Sequence, residues 1–328
     1  MKWKVIISAP YLQPVLARFQ PIFDANHIQC IVPPVNERMS EEELLEYIGD
    51  ADGIICGDDR LTQRVLQSAP RLKVISKWGT GIDSIDQVAA ARLGIAVRNT
   101  PNAFSEPVAD TVLGYLLCFA RQIPWMDRDL RSGNWVKRPS ISLGECTLGV
   151  IGVGNVGKAV VRRAVAFGMR VLGHDLMEVP GEFIECTGLQ VTSKRQLLNE
   201  SDFVTLHCDL NPSSFHLMSE ADFAQMKPGA YVINTSRGPV VDEDALVKAL
   251  RSGQVAGAAL DVFEDEPLPP DSPLRTFDNV LLAPHNANSS PVAWERVHEN
   301  TINNLLQVLI QRSEEPTTRG AGVHQDGS

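Results

Sequence analysis

A short glycine-rich stretch and one acid shortly after it say most about the chemistry open to this chain. Gly152, Gly154 and Gly157 stand in Thr147-Leu-Gly-Val-Ile-Gly-Val-Gly-Asn-Val-Gly157, the spacing G-x-G-x-x-G, and Asp175 follows 23 positions after Gly152. Gly152 permits a tight turn, Gly154 lets main-chain amides approach a pyrophosphate, and Gly157 lets a helix sit close to the strand before it. The N–H groups of Asn155 and Val156 would then meet an anion at the positive end of that helix, where the dipole is worth about half a charge. Three glycines alone would also suit an ordinary strand-to-helix turn. Here an apolar strand precedes them, a helix follows, and a second strand, Arg170–Gly173, leads to Asp175. A carboxylate at that point accepts hydrogen bonds from ribose hydroxyls and repels a 2′-phosphate, and Leu176, Met177 and Glu178 bring no cation to offset it. The pattern implies a dinucleotide, and NAD over NADP.

Further motifs follow in order along the chain: Lys77-Trp-Gly-Thr-Gly-Ile-Asp83, Asn99-Thr-Pro-Asn102, Asn234-Thr-Ser-Arg-Gly238, Leu260-Asp-Val-Phe-Glu-Asp-Glu-Pro267 and Pro284-His285. With the glycine loop they resemble the D-isomer-specific 2-hydroxyacid dehydrogenase family, and within it the phosphoglycerate dehydrogenase branch. The resemblance covers roughly residues 72–285.

That resemblance implies three catalytic positions, Arg237, Glu266 and His285, and a hydride passed between nicotinamide and C2 of a small D-2-hydroxy acid. The chemistry is sensible for those residue types. Arginine offers a planar, permanently charged fork for a carboxylate. Histidine titrates near neutrality and can give and recover a proton. A neighbouring carboxylate favours the imidazolium and orients the ring. Taken singly, Arg237 before Gly238-Pro239 would also suit a surface turn, and Glu266 ends an acidic run, Glu264–Glu266, that would suit a solvated face. The resemblance further implies that Thr235 and Asp261 line the nicotinamide end of the cofactor. It implies too that Lys77 and the amides of Gly79, Thr80 and Gly81 meet the substrate, a Gly-rich turn after a strand being suited to a carboxylate.

The elements that must position these groups are βαβ units. Strand candidates Lys4–Ser8, Ile28–Val32, Gly53–Cys56, Leu72–Ser76 and Ile95–Arg98 alternate with helices such as Glu41–Ile48 and Ile85–Leu93. Ser40 followed by Glu43 is a capping box for the helix that starts at Glu41. A second series runs Thr147–Ile151, Arg170–Gly173, Phe203–Leu206, Tyr231–Asn234, Ala256–Leu260 and Val280–Leu282, with helices Val156–Phe167, Lys194–Asn199 and Asp242–Arg251. The expected fold is α/β, with two doubly wound parallel-sheet lobes joined by helical hinges, one of them a Rossmann NAD-binding domain. Residues 100–287 form that domain in this reading. Residues 1–99 with 288–328 form a discontinuous substrate-binding domain, because the last helix, Ala293–Ile310, has no strand after it. A long helical stretch, Pro107–Arg131, follows the join, and the polar tail 312–328 reads as disordered. The catalytic groups would face the nicotinamide across the cleft between the lobes.

A net charge of −10 without a dense basic block argues against nucleic-acid or anionic-membrane partners, so an anionic cofactor must be held by local amides. No apolar run approaches the roughly 18 residues of a membrane span. Six scattered cysteines without a C-x-x-C pair suit free thiols in a reducing compartment, with cytoplasm the default. No His/Cys/carboxylate grouping has metal-ligand spacing, and His27, His298 and His324 read as surface residues. The apolar stretch Thr111–Ala120 with Ile123–Trp125 exceeds one helix face and suits either a homodimer surface or a buried central helix.

Two features depart from the family pattern. After Gly53–Cys56 comes Cys56-Gly-Asp-Asp-Arg60, where two carboxylates would repel a phosphate. Asp58 and Asp59 read there as acceptors for substrate hydroxyls, as partners of a cationic group, or as a charged surface loop. After His285 comes Asn286-Ala-Asn-Ser-Ser290, a polar run that points to a hydroxyl-bearing substrate. Competing readings are an NAD-sensing corepressor of the same fold, separable by slow turnover, and a formate or phosphite dehydrogenase, separable by its electron donor.

Overall fold

A computed structural model describes residues 3–314. Of the tail 312–328 read as disordered, residues 312–314 continue the last helix, and 315–328, His324 with them, lie outside the described residues. The chain divides into two units: Met1–Pro101 with Glu295–Ser328, and Asn102–Trp294.

The first unit holds a parallel sheet of β1 (Trp3–Ile7), β2 (Ile28–Ile31), β3 (Gly53–Cys56), β4 (Val74–Lys77) and β5 (Ala96–Arg98), in the order β2-β1-β3-β4-β5. Helices α1 (Leu16–Ala25), α2 (Glu41–Tyr47), α3 (Gln63–Gln67) and α4 (Gln87–Arg92) make the crossovers. The predicted capping box is present, Ser40 Oγ accepting from Glu43 N while Glu43 returns a carboxylate oxygen to Ser40 N. Every residue of β3 and β4 is buried, as strands covered on both faces must be. Leu44, Val65 and Ala90 from three of the helices pack on Ile6, Ile54 and Ile75.

The second unit holds a parallel sheet of β6 (Thr147–Ile151), β7 (Arg170–His174), β8 (Gln190–Val191), β9 (Phe203–Leu206), β10 (Ala230–Asn234), β11 (Val255–Leu260) and β12 (Val280–Leu282). Its order is β12-β11-β10-β9-β6-β7-β8, so the direction of winding reverses between β6 and β9. α5 (Ser105–Arg121), α6 (Ile123–Arg131), α7 (Asn155–Ala166), α8 (Gly181–Thr187), α9 (Lys194–Glu200), α10 (Glu220–Gln225) and α11 (Glu243–Ser252) flank it. One face packs Leu116 and Phe119 of α5 and Val160 of α7 on Val150 and Phe203. The other packs Leu197, Phe223 and Leu246 on Leu206 and Val232. The last helix, α12 (Pro291–Glu314), starts in the second unit and continues in the first.

The long helix expected over Pro107–Arg131 is two helices. Gln122 sits in the left-handed region at φ 56°, and Pro124 opens the first turn of α6, where a missing N–H costs nothing. Much of the apolar surplus on α5 is core: Val112, Leu113, Leu116, Phe119 and Ala120 are all buried.

Candidate active site

The glycine loop leaves the C-terminal end of β6, at the reversal in strand order, where open α/β sheets bind ligands. Gly152 stands at φ 89°, and a Cβ there would lie 2.7 Å from the His207 carbonyl carbon. At Gly157 a Cβ would lie 2.0 Å from Gly152 O, so the helix could not close on the turn. Gly154 differs, because no protein atom lies within 4 Å of the corresponding position. The protein's own packing does not demand a glycine there. Asn155 and Val156 open α7. Asp175, just past β7, closes over the turn: one oxygen accepts Val153 N at 2.6 Å, the other Met177 N at 2.8 Å.

Arg237, Glu266 and His285 follow three neighbouring strands, β10, β11 and β12, all at the C-terminal edge. Asn234 shapes the first turn, donating to Arg237 O at 2.8 Å while its own oxygen accepts Ser236 N at 3.0 Å. The Arg237 guanidinium donates to Ser236 O at 2.9 Å and is half-buried. The Thr235 hydroxyl is buried without a hydrogen-bond partner in the protein. A buried orphan hydroxyl costs free energy unless something else satisfies it.

His285 Nδ1 lies 2.9 Å from Glu266 Oε2, and the other Glu266 oxygen accepts Phe263 N at 2.9 Å. The imidazole and carboxyl keep 23% and 20% of their surface exposed, so the acidic run divides, Glu264 turning instead to His216. His285 holds φ 50°, in the left-handed region that few residues other than glycine adopt. Asp261 sustains it. Its carbonyl accepts His285 N at 2.7 Å, and its two carboxylate oxygens accept Asn286 N at 2.8 Å and Ala287 N at 2.9 Å. Burial pushes the Asp261 carboxyl above its ordinary range, against the pull of the two amides. This clamp was not legible in the sequence, where Asp261 was assigned only to the cofactor. The polar run after His285 is partly local architecture as well: Asn286 O accepts Ser289 N, and Ser290 Oγ accepts Ala293 N at the start of α12.

In the first unit, Lys77 ends β4 and the turn Gly79-Thr80-Gly81 follows. Thr100 N donates to Gly79 O at 3.0 Å, Asn99 Nδ2 to Thr80 O at 2.6 Å, and the Thr80 hydroxyl to Thr100 O at 3.0 Å. The Asn99-Thr-Pro motif thereby pins the turn. Lys77 is buried, and its ammonium pairs with Asp58 at 3.0 Å. Asp59 is no acceptor for a substrate hydroxyl: it is fully buried, and it already accepts Ser8 Oγ at 2.6 Å, Met39 N at 2.6 Å and Gly57 N at 3.1 Å.

One histidine assignment needs correction. His298 is buried, not on the surface, and its Nδ1 accepts the Trp78 indole N–H at 2.9 Å; burial lowers its pKa. His216, Asp242 and Glu264, far apart in sequence, come together with donor atoms within 4.8 Å, a grouping with metal-ligand chemistry that linear spacing concealed. His207 is neutral in its burial, pushed down to about 3, and shares a hydrogen bond with Thr205 Oγ1 at 2.9 Å.

Residues 113–287 match the profile described as D-isomer specific 2-hydroxyacid dehydrogenase, NAD binding domain. A glyoxylate reductase of Thermofilum pendens is 41% identical over 277 residues, 82% of each chain. The chain belongs to the D-isomer specific 2-hydroxyacid dehydrogenase family. A D-3-phosphoglycerate dehydrogenase of Methanocaldococcus jannaschii is 42% identical over 275 residues, covering 83% of this chain and 52% of the relative. Among solved structures, a D-lactate dehydrogenase of Aquifex aeolicus complexed with NAD and lactic acid superposes with TM-score 0.84 at 29% identity, over 95% of this chain and 96% of the other. The protein is thus an NAD-dependent oxidoreductase of this family, and its residues fit the cofactor on their own terms. The loop at Gly154 is open, Asp175 spends its two oxygens on the main-chain amides of Val153 and Met177, and the Thr235 hydroxyl is orphaned.

Proposed function

We propose that the protein reduces a small 2-keto acid to the D-2-hydroxy acid, or runs the reverse, with His285 as acid and base. The observation that carries this reading is the 2.9 Å pair of His285 Nδ1 and Glu266, on a turn clamped by Asp261. With Nδ1 set against Glu266, Nε2 is the nitrogen this reading assigns to the substrate oxygen. In the reducing direction the imidazolium gives its proton to the forming C2 alkoxide, while Glu266 orients the ring and offsets its charge. Arg237 binds the substrate carboxylate and polarises the carbonyl through its planar fork. NAD, when bound, supplies or takes the hydride. Gly152, Gly154, Asn155, Val156 and Gly157 would hold its pyrophosphate, Asp175 its ribose hydroxyls, and Thr235 its nicotinamide end. The Asp261 carboxylate, two of whose lone pairs go to the main chain, would hold the nicotinamide carboxamide through the others.

Residues 1–99 with 288–328 act as the substrate-binding domain in this reading, the amides of Gly79, Thr80 and Gly81 taking the substrate carboxylate beside Lys77. A second copy of the chain covers the apolar side chains that stay exposed after α5, among them Ile123, Leu130, Val136 and above all Trp135 at 85% exposure. Sedimentation at micromolar concentration checks the dimer. Six free cysteines favour a reducing, cytoplasmic setting, and no helix among the described residues is long and apolar enough to cross a membrane.

Oxidation of NADH against a panel of 2-keto acids tests the proposal. His285→Ala and Arg237→Ala should each abolish turnover while NADH still binds. Equal loss of NADH affinity in both would overturn their roles, and tight NADH binding with very slow turnover in the native protein would favour a sensing function.

A further inference from the structure

The first unit's sheet winds in the order β2-β1-β3-β4-β5, so its direction reverses between β1 and β3. In open parallel sheets that crevice is the natural ligand seat, and at its rim a hydroxyl and main-chain amides make a good cradle for an anion. Here the protein fills the cradle itself. Asp59 sits in it, taking the Ser8 hydroxyl and the amides of Met39 and Gly57. One residue earlier, Asp58 neutralises the buried ammonium of Lys77 at 3.0 Å, and that ammonium also donates to Trp78 O at 3.3 Å. The cation that a phosphate would seek at the end of β4 is already paired, and a further carboxylate lies behind it.

This edge adjoins the turn that the preceding section assigns to the substrate carboxylate, and the inference rests on that assignment. β3 and β4 are hydrogen-bonded neighbours, Trp78 N donating to Cys56 O at 2.8 Å just beyond the last paired residues. Adjacent strands lie about 4.8 Å apart. A substituent one or two bonds from C2 of an acid seated on Gly79–Gly81 would therefore reach the loop Cys56–Arg60. We infer that the Asp58–Lys77 pair, backed by Asp59, determines substrate selectivity: the enzyme takes unphosphorylated 2-keto acids with a hydrogen or a hydroxymethyl at that position and rejects their phosphate esters. A hydroxymethyl can donate to Asp58 or accept from Lys77 without a change of net charge. A phosphate dianion must displace the pair or sit against the Asp58 carboxylate, and a single pair of like unit charges at about 5 Å and an effective permittivity of about 20 already amounts to a discrimination of at least about a hundredfold. Arg60, exposed on the same loop, is a cation that could argue otherwise, and it serves as the control.

The experiment compares kcat/KM for glyoxylate, hydroxypyruvate and 3-phosphohydroxypyruvate by NADH oxidation in the native enzyme, Asp58→Asn and Arg60→Ala, with melting curves for each. The native enzyme should prefer hydroxypyruvate to its phosphate ester by about a hundredfold. Asp58→Asn, which leaves the Lys77 charge unmatched, should raise the ratio of phosphorylated to unphosphorylated rates by about tenfold or more, and Arg60→Ala should leave the native preference in place. A native preference for the phosphate ester, above all one abolished by Arg60→Ala, would overturn the inference, as would an unmoved ratio in a folded Asp58→Asn. Should that variant not fold, competitive inhibition of the native enzyme decides, D-glycerate being expected to inhibit glyoxylate reduction more strongly than 3-phosphoglycerate and the opposite order refuting the idea. Failure of every keto acid to oxidise NADH would instead sink the dehydrogenase reading beneath it.

Discussion

Replacing Glu266 by glutamine removes one charge from the proposed reacting centre and little else. The amide has the same shape, and its oxygen can still accept the Phe263 N–H that now fixes the carboxylate at 2.9 Å. What it cannot do is stabilise an imidazolium. Two unit charges about 4 Å apart in a medium of effective permittivity about 20 interact by about 4 kcal/mol. With a fifth of each side chain in water, solvent screens part of that. About half, or 2 kcal/mol, is a fair share, equivalent to about thirtyfold in rate. The sign follows from which form works. In the proposed reduction His285 must carry a proton, and a carboxylate 2.9 Å away favours the charged ring. In Glu266→Gln the limb of kcat/KM that falls with rising pH should therefore move to lower pH, with a loss of about thirtyfold on the alkaline side that shrinks as the medium is acidified. The oxidative direction, which needs the neutral ring, should lose less. NADH absorbance followed in both directions across the neutral range, with NADH binding by fluorescence, reads all of this. A rate within about threefold of native, with an unshifted profile, would refute the pairing as the source of proton control.

Gly157→Ala should be among the most damaging single-methyl additions, since its Cβ would stand 2.0 Å from Gly152 O. Overpacking against main chain costs about 3 kcal/mol or more, so a lower urea midpoint with weaker NADH binding is expected, and native values in both would mean the loop is not built this way. Buried Asp52 ties β1 to the β4 region, accepting Lys4 N at 3.0 Å, Arg71 Nη2 at 2.8 Å and Lys73 Nζ at 3.1 Å. Burial raises its pKa, but these donors together outweigh it and hold the carboxyl below its ordinary range. A depressed folded value stabilises above the unfolded pKa of about 4 and is lost as pH falls through the folded one. Asp52→Asn should therefore be about 3 kcal/mol less stable near neutrality, with the gap closing below about pH 4; a gap that stays constant with pH would show that the charge contributes nothing.

Much of this protein could be read from order along the chain. Glycine spacing and an acid 23 positions on are local properties, since a turn, a helix start and the next strand end lie within one βαβ unit. The strands are equally legible, because a parallel strand buried on both faces must be a nearly continuous apolar run, as β3 is. Capping boxes such as Ser40 and Glu43 are local for the same reason.

What only the tertiary structure decided is where polar side chains spend their hydrogen bonds. Asp58 and Asp59 are identical neighbours in sequence, yet one pairs with a lysine from the next strand and the other is sealed under a loop and a serine just after β1. His298 looks like any surface histidine until α12 places it beneath the Trp78 indole. Asp261 holds the strained His285 turn through amides 25 and 26 residues away. A carboxylate or an imidazole has the same letter whether it faces water, main chain or substrate, and burying one forces a partner that sequence spacing does not name.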